Sequence, residues 1–286
     1  MNKIAIIILA TMLLAQPLQA ADIAGEVRSG ADGPDTGDGG FLEIGVRAGA
    51  WTHPFFGDGN NAGEGFTLAG QYRFRGFFVE AINSTADGIN VGYQLWNNDQ
   101  WMVDIIGYNA TSGSVKKVDP FLDPGTAYAT PGTPRPGLWM KHSGTALTGA
   151  GLRVTRYFDD YIVQFRVLHD VYHGRGQYAS ARLGRSWQYR NWNFHAMAGI
   201  EYLDSELSLR TFGVTAAEAK RSFFRQYDPG ATGQIEAEIG VTYPMSERWV
   251  FRATARHSFL ADAVSESPLF DDSSQSSLML SVSCVF

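Results

Sequence analysis

The sequence predicts an all-β chain: a transmembrane, antiparallel, up-and-down β-barrel of about twelve strands, with a short helix in one external loop. Three observations predict it. Runs of about ten residues alternate apolar and polar side chains with period two. Short and long connections alternate between these runs. The polar face is built from Arg, Gln, Glu, Thr, Ser and Gly, unlike the Lys-rich surface of a soluble sandwich.

Residues 1–20 read as a secretory signal. Lys3 supplies the positive start, Ile4 to Ala15 an uncharged apolar core, and Gln16-Pro17-Leu18-Gln19-Ala20 a cleavage region ending on a small residue. Residues 21–39, rich in Asp, Gly, Ala and Ser, read as a flexible periplasmic arm. The barrel takes 40–286. Losing Lys3 lowers the formal charge of −6 by one unit, so nothing basic enough for nucleic acid stands out. Past the signal no apolar run is long enough for a membrane helix. Cys284 is the only Cys, so no disulfide forms within the chain; it is expected to face lipid. The 32 glycines and 13% aromatic content suit many short strands and turns.

The strands follow in order. Leu42, Ile44, Val46, Ala48 and Ala50 alternate with Glu43, Gly45, Arg47 and Gly49. Phe66, Leu68, Tyr72 and Phe74 alternate with Thr67, Gln71 and Arg73. Ile89 to Leu95, Tyr161 to Val167 and Phe194 to Tyr202 repeat the pattern. The last three runs are the clearest: Gln234 to Tyr243, Trp249 to Arg256 and Leu278 to Phe286. Phe77–Asn83, Trp101–Tyr108, Ala146–Tyr157 and Tyr178–Trp187 complete the set. Each clear run can cross a bilayer at a tilt.

Connections provide an independent test. Those around Arg75–Gly76, Asn97–Gln100, Phe158–Asp160, Gln188–Asn191 and Pro244–Arg248 are short. Those at His53–Gly65, Asn109–Thr145, Asp170–Gly176, Asp204–Gly230 and Phe259–Ser276 are longer; Ser84–Gly88 is the short exception. Short turns belong in the periplasm and long loops outside, which brings both termini to the periplasmic side of an outer membrane. Thr215-Ala216-Ala217-Glu218 fits a capping box and predicts the loop helix.

The bilayer supplies no hydrogen-bond partners, so strands cross it only as a closed barrel. A basic residue facing midplane lipid costs roughly 2–4 kcal/mol, and the clear outward faces avoid one. Tyr72, Trp96, Trp101, Tyr157, Tyr161, Trp187, Trp192, Tyr243 and Trp249 gather near the short turns as an interfacial girdle. Phe286 closes the final alternating run, as a signal read by the barrel-assembly machinery does.

The inward parity collects charge. Arg47, Arg73, Arg75, Arg153, Arg166, Arg182, Arg252 and Arg256 face Glu43, Glu80, Glu201, Glu236 and Glu238. Mixed charge favours cross-lumen ion pairing over an open selective channel, and Arg is suited to bidentate pairs. No catalytic site is expected. His169, Asp170, His173 and Ser180 lie close in sequence, but the loop holds the first three and a strand the last, and no Gly-x-Ser-x-Gly elbow occurs. No metal or cofactor is expected either: the histidines are scattered, and Asp204, Asp271 and Asp272 lack the spacing of a Ca²⁺ loop.

The C-terminal third carries a family resemblance. Phe212-Gly213-Val214-Thr215-Ala216-Ala217-Glu218-Ala219, Tyr227-Asp228-Pro229-Gly230, Thr242-Tyr243-Pro244-Met245-Ser246-Glu247-Arg248-Trp249 and Ser267-Pro268 resemble the MipA/OmpV family (MltA-interacting protein family). His169-Asp170 with His173-Gly174 is a further similar feature. The resemblance implies an outer-membrane barrel whose partners are lipid, the barrel-assembly machinery, and a murein synthase with a lytic transglycosylase. A scaffold in cell-envelope and murein maintenance is therefore the expected function. A porin-like small-solute channel, or a surface adhesin or antigen acting through the long loops, is the alternative.

Overall fold

The structure is a computed structural model. It describes residues 37–52, 60–82, 89–111, 128–130, 133–134, 146–158, 161–171, 176–220 and 224–286. The expected signal, most of the arm, the Ser84–Gly88 connection, His173 and most of the 109–145 loop lie outside these.

Period-two alternation becomes wall. The strands are β1 (Gly39–Thr52), β2 (Asn60–Phe74), β3 (Phe77–Ile82), β4 (Ile89–Asn97), β5 (Trp101–Thr111), β8 (Ala146–Tyr157), β9 (Ile162–Asp170), β10 (Gln177–Tyr189), β11 (Trp192–Leu203), β12 (Thr232–Pro244), β13 (Trp249–Leu260) and β14 (Ser274–Val285). Between β5 and β8 the pair β6 (Tyr128–Thr130) and β7 (Thr133–Pro134) forms a separate two-stranded sheet. Each wall strand pairs antiparallel with its neighbours, and β1 pairs with β14 to close a 12-strand barrel. Closure gives each wall strand two neighbours among the described residues, the arrangement a membrane requires. At the seam the Phe286 N–H donates to the Leu42 carbonyl at 2.8 Å, and the Leu42 N–H returns a bond to Phe286 at 3.2 Å.

The outer face is apolar. Val46, Leu68, Val91, Ile105, Leu152, Phe165, Val167, Ile200, Ile235, Ile239 and Leu278 are all exposed. At the short-turn end the rings gather: Trp192 lies 4.5 Å from Tyr243, Phe158 4.5 Å from Tyr161 and Phe77 4.8 Å from Tyr93 between centroids. Cys284 shares the outward parity of Leu280 and Val282. Two arginines break the apolar rule near this end. Arg156 on β8 and Arg185 on β10 alternate with inward Thr155 and Gly184, and so face outward.

Hairpin chemistry explains one departure from the sequence reading. Arg75, expected in the lumen, occupies the two-residue turn between β2 and β3 with φ 51°, beside Gly76 at φ 83°. Paired left-handed residues match the twist of a tight hairpin. Its side chain lies over Phe74, and its N–H donates to Asp38 Oδ1 at 2.7 Å.

The loop helix at Thr215 is present as α2 (Ala216–Ala219), with both bonds of the capping box. Two helices were not expected: α1 (Ser205–Phe212) before it, and α3 (Asp262–Ser265) in the β13–β14 connection.

Close strand approach makes Gly151 irreplaceable. It pairs with Leu168 on β9, and an added Cβ would lie 1.9 Å from the Val167 carbonyl oxygen. Gly151→Val is therefore expected to prevent β8–β9 pairing. Loss of the compact, heat-shifted band on unheated gels would show it; a normal band would refute it.

Candidate functional site in the lumen

The lumen is stratified, and the strata follow from which residues alternate inward at each height. At the short-turn end Met102, Tyr157, Ile162 and Met197 form an apolar floor. A charged belt lies above it. Toward the long-loop end Leu168, Tyr178, Leu203 and Leu260 project inward from the wall, and the same buried apolar cluster runs through Ile106 to Phe78, beside the short β2–β3 turn. The loops complete that layer with Leu207, Phe212, Val214, Phe224, Val264, Leu269 and Phe270.

The belt on one side centres on Arg153. Its Nη1 and Nη2 donate to the two Glu80 oxygens at 2.9 and 3.1 Å, and its Nε to Asp104 at 2.8 Å. All three side chains are fully buried. Arg73 approaches Glu80 at 4.0 Å, and Arg73 and Arg153 both lie over the Phe78 ring. Arg166 donates to Gln164 at 2.7 Å, and Gln164 to Thr155 at 3.1 Å. A guanidinium with two carboxylates fills its fork, which is how a buried charge is tolerated.

The other side continues in the same way. Arg182 meets Glu201 at 3.2 Å and Glu236 at 3.1 Å. Gln234 donates to Glu201 at 2.8 Å. Arg256 pairs with Glu238, which His195 also meets at 3.2 Å. Arg252 pairs bidentately with Glu43 across the seam strands, and Ser283 donates to Glu43 at 3.0 Å. Here the lumen is wetter: the Arg252 and Arg256 side chains are 26% and 18% exposed, against 0% for Arg153. Arg47 is half-buried on the same side. Strands β12, β13, β14, β1 and β2 also border a cavity of about 640 Å³ that touches Glu238, Arg256, Ser277, Trp51 and Asn61.

The cap explains what the unexpected helices do. Asp204 caps α1 by accepting from the Leu207 N–H at 2.9 Å, which points Leu207 and Phe212 into the apolar layer. Arg210 reaches Asp170, at 2.5 Å, on the rim of β9. Ser267 donates to the Phe212 carbonyl at 2.7 Å, and the Tyr227 hydroxyl to the Ala263 carbonyl at 2.8 Å. Burial, and then the Glu266 carboxylate, hold the Tyr227 phenol above its ordinary value. The sequence does carry a local signal for α1: Asp204 followed by Ser205 and Glu206 is a helix start. Asp104 was also missed, though Met102, Asp104 and Ile106 alternate with outward Val103 and Ile105.

His169 is directed away from Asp170 and Ser180, though the three are close in sequence. Ser180 faces the lumen, His169 is exposed on the outer parity, and Asp170 is taken by Arg210. Among the described residues no group of three His, Cys, Asp or Glu is placed to hold a metal ion.

A closed antiparallel barrel with an apolar outer wall, an aromatic ring at one end and an ion-paired interior defines the class: an outer-membrane β-barrel protein. The chain belongs to the MltA-interacting protein MipA family, whose model matches residues 44–286. Comparison with curated sequences finds no match. Among solved structures, similarity extends to "KdgM porin", at 10% identity and TM-score 0.40, covering 85% of this chain and 99% of that one. A "NanC porin" structure matches at 11% identity and TM-score 0.41, covering 84% and 98%. An anion-selective porin from Comamonas acidovorans matches at 9% identity and TM-score 0.35, covering 86% and 98%.

Proposed function

We propose that this protein is a closed outer-membrane barrel acting as a scaffold or interaction protein in murein maintenance, without catalytic activity. The observation that carries it is the apolar cap: residues of the loop helices join one buried apolar cluster with wall residues, among them Tyr178, Leu203 and Leu260 at the long-loop strand ends. A mouth so capped leaves little room for solute traffic. The wall then serves to hold a surface in the membrane. In this reading the short turns and both termini lie in the periplasm, where a murein synthase and a lytic transglycosylase would meet them. The family description, MltA-interacting protein, supports that partner class.

Crosslinking in intact cells followed by purification is expected to retain murein enzymes with the barrel. Their absence from crosslinked material would sink the scaffold reading. A small-solute channel is the second reading, favoured by the part-exposed Arg252 and Arg256. Planar bilayers decide between the two: the closed barrel is expected to give no discrete conductance steps, and steady steps would favour the channel. We also read Phe286 as contributing to barrel assembly. Phe286→Ala is expected to slow appearance of the folded band while leaving the seam backbone bonds to Leu42 possible; unchanged assembly kinetics would refute that role.

A further inference from the structure

We propose that Arg156 and the rings around it form a binding site for the phosphate of an anionic glycerophospholipid in the leaflet at the short-turn end. This rests on the orientation given above, which makes that leaflet the periplasmic one.

The site lies on the outside of the wall. Arg153 and Thr155 point inward and are fully buried, and Tyr157 is nearly so; Arg156, between them in parity, faces outward. Trp101 stands opposite it on β5, and Phe158 follows it at the end of β8. The guanidinium carbon is 4.6 Å from the Trp101 ring centroid and 4.7 Å from that of Phe158. Tyr161 stacks behind Phe158 at 4.5 Å. The cation is therefore in contact with two rings, one of which stacks on a third. The turn backbone fixes it: Tyr157 N–H donates to Gln100 at 2.8 Å and Phe158 N–H to Tyr161 at 2.9 Å.

An arginine held this way rests against π-systems, which do not take the place of oxygen acceptors for its in-plane N–H groups. No carboxylate among the described residues pairs with it, and its Nε–H is covered without an acceptor. This contrasts with the belt, where Arg153, Arg182, Arg252 and Arg256 all have carboxylates. A cation at the membrane interface, immobilised and without a counter-charge among the described residues, matches a headgroup phosphate. Flanking rings suit the glycerol and upper acyl region, where aromatic girdles lie. A phosphate would complete the fork with charge-assisted bonds, and Lys would reproduce the charge but neither the stacking nor the fork.

The test is titration of delipidated full-length protein in micelles with phosphatidylglycerol or phosphatidylcholine, read by native mass spectrometry. One phosphatidylglycerol is expected to be retained ahead of phosphatidylcholine. Arg156→Gln should weaken it about tenfold or more, the worth of a charge-assisted hydrogen bond. Arg156→Lys should fall between. Arg190→Gln, in a turn at the same end and over Tyr189, should leave binding unchanged. Equal affinity for both lipids, no loss in Arg156→Gln, or equal loss in Arg190→Gln would each overturn the site. All variants must keep the heat-shifted band, since Arg156 touches no buried belt residue by ion pair. Micelles have no leaflets, so this tests the site and not the orientation. A charged thiol reagent applied to intact cells carrying Asn98→Cys tests the orientation separately.

Discussion

Arg153→Met is expected to lower the stability of the barrel by about 3–5 kcal/mol, the cost of removing one partner from a buried ion pair. The substitution leaves Glu80 and Asp104 fully buried, each deprived of its short bonds to the guanidinium. Arg73, at 4.0 Å from Glu80, is too far to replace a bidentate contact. Urea unfolding in detergent, followed by tryptophan fluorescence, checks this as a fall in midpoint at unchanged slope. The triple variant Glu80→Leu, Asp104→Leu, Arg153→Met should recover most of the loss, because a well-packed apolar set often equals a buried ion triad. If the single and triple variants unfold alike, the cost belongs to packing over Phe78 and not to charge.

The cap should open as a unit when its central ring is removed. Phe212 is 2% exposed, touches Phe270 edge-on at 6.0 Å between centroids, and holds Ser267 through its carbonyl. Phe212→Ala is expected to cost the cap about 3–5 kcal/mol. Ser180 lies on β10 next to the cap residue Tyr178 and faces the lumen. In a Cys284→Ser background, Ser180→Cys should react slowly with a charged thiol reagent. If reaction proceeds through local opening, adding Phe212→Ala should raise the rate roughly a hundredfold or more, at 1.4 kcal/mol for each factor of ten. Asp271→Cys, exposed on the loop surface, should react equally in both. Rapid labelling of Ser180→Cys with the cap intact would show that the lumen is open at its mouth, and would move the proposed function toward a channel.

The strands, their count and the faces of their residues were legible in the sequence because each rests on one local rule. Period two puts Leu278, Leu280 and Val282 on one side of β14 and Ser281 and Ser283 on the other, whatever the neighbours are. The capping box at Thr215 is equally local, with both reciprocal bonds confined to four residues. Arg75 departs from the expectation because the parity of β2 ends at Phe74, and the left-handed turn backbone takes over at Arg75.

Partnership was not legible. Parity places Arg153, Glu80 and Asp104 on the inner face, but their meeting depends on the register of β3, β4, β5 and β8 and on the tilt of the closed wall. The same holds for Arg252 and Glu43, which come from opposite ends of the chain and pair across the closing strands. The cap was hidden for a further reason. Leu207, Phe212, Val264 and Phe270 lie on two connections far apart in sequence, and each looks like an ordinary loop apolar residue until closure gives them one cavity to fill. Alternation thus settled that a barrel forms and which side chains enter it. Only the three-dimensional arrangement decided which of them pair and that the described loops cap the mouth, because both depend on what side chains from distant strands and loops do to the same space.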